Sequence, residues 1–101
     1  MSYTLTLHTP GGDSPHARQL AERRFCRVLE NALGDAGLVA PVYAAVQRIR
    51  TLYGCEPDLE ALTSDERTVL ELWQQAESAA LEAVFGPHRH LDEGGYEIRL
   101  G

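Results

Sequence analysis

With 101 residues, 44% of them hydrophobic, the chain has apolar material for one core and no room for a second, so residues 1–101 are expected to form a single domain. No apolar run approaches the roughly 18 residues of a membrane span and no charged-then-apolar N-terminal pattern marks a secretory signal, which predicts a soluble cytoplasmic protein with no membrane partner. The net charge of −6 argues against nucleic acid as a partner, and all nine basic residues are arginine, which excludes Schiff-base, phosphate-loop and lysine-base chemistry.

The absence of lysine, with the abundance of Ala, Arg and Leu, is the usage of a GC-rich bacterial genome. Ser2 to His8 alternates Tyr3, Leu5 and Leu7 against Ser2, Thr4, Thr6 and His8, the pattern of a strand with one face for a core. A turn cluster follows, Thr9-Pro10-Gly11-Gly12-Asp13, and then Ser14-Pro15, an N-cap hydroxyl before a proline at the first helical position. Ala17, Leu20, Ala21, Phe25, Val28, Leu29, Ala32 and Leu33 recur at three- and four-residue steps. They predict a first helix of about five turns that ends near Gly34 or Gly37.

A second helix is expected from near Pro41, burying Val42, Ala45, Val46, Ile49, Leu52 and Tyr53 and stopping at Gly54. Residues 55–62 form a connector with room for one helical turn. Thr63-Ser64-Asp65-Glu66 fits a capping box, and the third helix then buries Val69, Leu70, Trp73, Ala76, Ala80 and Val84 before Gly86-Pro87 ends it. Residues 87–95 are either a polar linker or a short extra strand near 88–91 that turns through Asp92-Glu93-Gly94-Gly95. Tyr96 to Leu100 alternates again. The fold class is α+β: three amphipathic helices packed on a small antiparallel sheet formed by the N- and C-terminal strands, in the order β-α-α-α-β.

Chemistry concentrates in one segment. If His88–Asp92 is extended, His88 and His90 point to one side with Asp92 nearby, a nitrogen and oxygen set suited to zinc or a similar divalent ion. Pairing of the termini would bring His8 towards them. His88-Arg89-His90-Leu91-Asp92-Glu93 resembles the H-x-H-x-D-H metal box of metallo-β-lactamase-type hydrolases, with Glu93 where that box has its last histidine. The resemblance covers six residues, and that family's fold needs a far longer chain for its second set of ligands. A solvated loop rich in imidazole and carboxylate is the plainer alternative, with no cofactor at all.

Neither the G-x-S-x-G elbow nor a phosphate-cradling glycine pattern occurs, and Cys26 and Cys55 lack the C-x-x-C spacing and are expected as free thiols. Glu77 falls about 40° from Trp73 on a helical wheel, so its carboxylate is expected to pair with an arginine of the first two helices, to act as an acid-base group, or to lie at the stripe's edge with its head in water. Arg18, Arg23, Arg24 and Arg27 make a basic patch on the first helix, expected to pair with Glu22 and Glu30 through helical spacings.

Charge is unevenly shared: residues 1–52 carry six Arg against four acids, and residues 53–101 three Arg against eleven acids. The expected role is that of a small acidic protein-protein interaction or regulatory module without catalytic activity of its own. Asp65, Glu71 and Glu82 would face a basic partner surface, Arg23 and Arg27 would add contacts, and exposed strand borders favour a homodimer. The alternative is a metal-binding or small enzymatic domain using His88, His90, Asp92 and His8.

Overall fold

The computed structural model describes residues 2–8, 15–54, 56–86 and 95–101. Strand β1 (Tyr3–His8) is followed by helices α1 (Pro15–Leu33), α2 (Val39–Tyr53) and α3 (Ser64–Phe85), and strand β2 (Gly95–Leu100) closes the order. β1 and β2 pair antiparallel as a two-stranded sheet, Tyr3 opposite Leu100, Leu5 opposite Ile98 and Leu7 opposite Tyr96. This is the three-helix α+β architecture that the alternation at both ends predicts. The possible extra strand near 88–91 lies outside the described residues.

Local signals set the helix ends. The Thr63 side chain accepts from the Glu66 N–H at 3.2 Å while the Glu66 carboxylate accepts from the Thr63 N–H at 2.9 Å, the reciprocal box that opens α3. Gly54 and Gly86, at φ of +91° and +83°, each donate an N–H to the carbonyl four residues back, and only glycine takes that conformation without strain. The start of α2 lies near Pro41, as expected, behind a short turn. Asp35 caps a 3-10 turn at Ala36–Leu38, and α2 opens directly behind it at Val39, two residues before Pro41. A proline is tolerated there because first-turn N–H groups have no helical partner. The connector holds the single turn expected, a 3-10 turn at Leu59–Ala61.

One core joins every element. Phe25, Leu29 and Leu33 of α1, Val46 and Ile49 of α2, and Leu70, Trp73, Ala76 and Ala80 of α3 are buried together with Leu5, Leu7 and Ile98 of the sheet. Ala76 and Ala80 let α1 and α3 approach closely, while Trp73 fills the space towards Tyr43, with ring centroids 5.2 Å apart. The Trp73 Nε1–H is buried and has no hydrogen-bond partner among the described residues, so ring packing alone holds the indole.

α1 is rotated from the expected stripe. Leu20 is 51% exposed and Ala17 and Ala32 are exposed, whereas Glu22, Cys26 and Glu30 are part-buried. The reason is β1, which lies along α1. Leu7 reaches Glu22, and Tyr3 reaches Glu30. Eight helical residues rise about 12 Å and four strand residues about 13 Å, so the two elements stay in step over this length.

Candidate functional site

The borders of the sheet carry backbone groups that the ladder itself leaves unpaired. Gly101 donates its N–H to the Ser2 carbonyl, which makes 2 and 101 a hydrogen-bonded pair. Antiparallel ladders alternate such pairs with non-bonded ones, so Thr4–Arg99 and Thr6–Glu97 hold the sheet together. Tyr3, Leu5 and Leu7 therefore turn their N–H and C=O groups to the outer border of β1, and Tyr96, Ile98 and Leu100 turn theirs to the outer border of β2.

The two borders are treated differently. On β1 the Leu7 N–H donates to the Glu22 carboxylate at 2.9 Å, and the Tyr3 hydroxyl donates to Glu30 at 2.7 Å, which ties both ends of the strand to α1. On β2 the Tyr96 hydroxyl donates to Glu77 of α3, and the Tyr96 ring packs on Phe25 with centroids 5.0 Å apart. These contacts hold the strand from beneath. Among the described residues no side chain takes the outward N–H of Ile98 or Leu100. Leu100 is 37% exposed.

Glu77 thus finds its partner in a phenol of β2, where the wheel suggested an arginine, an acid-base role or a solvated edge. Burial, and then the Glu77 carboxylate, push the Tyr96 phenol well above its ordinary range. Burial does the same to Tyr3, helped by Cys26 and Glu30. Cys26 is free and half-buried, and burial raises its thiol pKa, the opposite of the shift that makes a cysteine nucleophilic.

Sequence spacing assigned Glu22 and Glu30 to the arginines of α1, and the structure overturns that assignment. Both carboxylates face β1, and among the described residues no carboxylate lies within 4.0 Å of Arg18, Arg23, Arg24 or Arg27. Arg23, Arg24 and Arg27 are exposed and share an open hollow with Leu20. Asp65, Glu71 and Glu82 are exposed as well. Glu71 and Glu82 point within about 20° of one another at 100° per residue, and Asp65 lies about 120° round the helix. Asp65 lines the α2–α3 groove with Arg48 and Leu52, and Leu52 is 72% exposed.

His88, His90 and Asp92 lie outside the described residues, as do Ser14 and Cys55. The His8 backbone ends β1 opposite Gly95. Among the described residues no three His, Cys, Asp or Glu side chains gather as a metal site, and no helix is long and apolar enough to cross a membrane. Exposed strand borders are expected from the sequence, but which backbone groups they present is not, because alternation shows which side chains face the core and leaves the pairing register open. Comparison with known protein families, with curated proteins and with solved structures gives no match.

Proposed function

We infer that this chain is a small protein-protein interaction or regulatory module of the cytoplasm that works through its surface and has no catalytic activity of its own. The observation that carries the reading is the outer border of β2, where the N–H and C=O groups of Tyr96, Ile98 and Leu100 point away from the sheet. A two-stranded sheet is marginal alone, and an unblocked border is a template for another strand. Self-association is the first consequence. The acids of α3, Glu71 and Glu82 on one face and Asp65 in the neighbouring groove, offer a second surface to a basic partner.

Sedimentation velocity from low to high protein concentration tests the reading. The average mass is expected to rise above that of one chain, and the rise should vanish in a Leu100→Pro variant that removes an outward N–H while keeping the ladder bonds. A one-chain mass at every concentration, in low and in physiological salt, contradicts self-association. The acidic surface is tested separately with an arginine-rich peptide. Binding should weaken with salt and with Glu71→Gln/Glu82→Gln, and salt-independent or absent binding would remove that part of the reading.

A further inference from the structure

We propose that the occupant of the β2 border is the β2 strand of a second copy, paired antiparallel about a two-fold axis at Ile98. The proposal rests on the interaction reading above and specifies its partner and register. Ile98 is the central outward-turned residue of the strand, between Tyr96 and Leu100. Two copies that meet there would exchange both backbone bonds of Ile98 with the partner's Ile98. Tyr96 and Leu100 would each bond the other's counterpart, about six backbone hydrogen bonds in all.

The side chains of β2 are self-complementary in that register and in no neighbouring one. Glu97 and Arg99 flank Ile98 on the outer face, so each Glu97 would stand opposite the partner's Arg99, and each Arg99 opposite the partner's Glu97. A shift of two residues would set Glu97 opposite Glu97 or Arg99 opposite Arg99, and directly opposed like charges are unfavourable. Within one chain Arg99 Nε lies 3.1 Å from Glu97 Oε1, with side chains 79% and 45% exposed, so both charges stand on the accessible face and can be shared across the border.

The inner face agrees with the outer one. Ile98 would meet Ile98, and the exposed Leu100 would meet the part-buried Tyr96, which continues the apolar floor of one sheet into the other. β1 is less suited, since Glu22 of α1 occupies the Leu7 N–H, one of its three outward donors. The product is a four-stranded antiparallel sheet with β1 at both ends and the α1 clamp on each outer border.

Charge reversal tests both partner and register. E97R and R99E each place like charges opposite one another and should weaken self-association at least tenfold. The E97R/R99E double variant should restore it. An equimolar mixture of the two single variants should also associate, as a mixed dimer, because each then meets its opposite. Circular dichroism checks that each variant keeps its helices.

In a background with Cys26→Ala and Cys55→Ser, E97C and R99C chains should form a mixed disulfide dimer when oxidised together and little dimer when oxidised alone. A monomeric wild-type chain would overturn pairing with a second copy. A wild-type dimer unaffected by either reversal, or disulfide formation within E97C alone, would overturn this register while the interaction reading stands.

Discussion

The two strands of this sheet have similar side-chain patterns and opposite surroundings. β1 lies along α1, which supplies a carboxylate to its outward backbone at Leu7 and another to the phenol of Tyr3. β2 is anchored from below, through Tyr96 to Glu77 and Phe25, and among the described residues nothing takes the outward N–H of Ile98 or Leu100. The contrast teaches that protecting an edge need not involve the edge strand itself. A neighbouring helix can do it by turning its acids towards the strand, and among the described residues Arg23, Arg24 and Arg27 are then left with no carboxylate within 4.0 Å.

The largest effect is expected from removing the ring beneath β2. Phe25 is fully buried and touches the ring of Tyr96, so Phe25→Ala should lower unfolding free energy by about 3–5 kcal/mol in urea titrations. Self-association should fall with it, because β2 loses its support. A loss below about 1 kcal/mol would show that β2 does not depend on this contact.

Freeing the capped donor of β1 comes next. Glu22→Ala frees the Leu7 N–H and should cost about 1.5–3 kcal/mol, the range for a hydrogen bond to a charged group. The same change leaves all three outward donors of β1 available, so higher assemblies than dimers are expected by light scattering. An unchanged assembly size would show that α1 shields β1 by bulk and not through this carboxylate.

Tyr96 separates support from pairing. Tyr96→Phe removes the donor to Glu77 and should cost about 1–2 kcal/mol at neutral pH. The folded chain holds this phenol protonated above its ordinary value of about 10, so the unfolded chain ionises first as pH rises. The stabilisation is complete below about pH 10 and lost progressively above it, and Tyr96→Phe should flatten that alkaline decline in chemical denaturation. An equally steep decline in the variant would place the alkaline sensitivity elsewhere.

The smallest effect on stability should come from Leu100→Pro, about 0.5 kcal/mol or less, since the N–H it deletes faces away from β1. Its effect on association should nonetheless be the clearest. Thermal unfolding at low concentration measures the first, and sedimentation the second.

Much of this contrast could be read from residues alone. The alternation at Tyr3–Leu7 and Tyr96–Leu100 located both strands, and Thr63 with Glu66 located the start of α3. Gly54 and Gly86 located two helix ends. Pro41 located the start of α2 to within two residues, since a proline is tolerated anywhere in a first turn. The rotation of α1 was hidden because Leu20 and Ala17 satisfy a helical period as well as Phe25 and Leu29 do. What turns the helix is β1, whose approach to Glu22, Cys26 and Glu30 is a tertiary fact. Open borders are expected from a two-stranded sheet, but which backbone groups face outward depends on whether odd or even pairs are bonded, and side-chain periodicity is the same for both.

Amide hydrogen exchange at two protein concentrations tests the central contrast most directly. The Leu7 amide should be protected at both concentrations, held by Glu22. The Tyr96, Ile98 and Leu100 amides should exchange fast when dilute and become protected as the concentration rises. Protection of these three that does not change with concentration, or a gain at Tyr3 and Leu5 instead, would contradict the account.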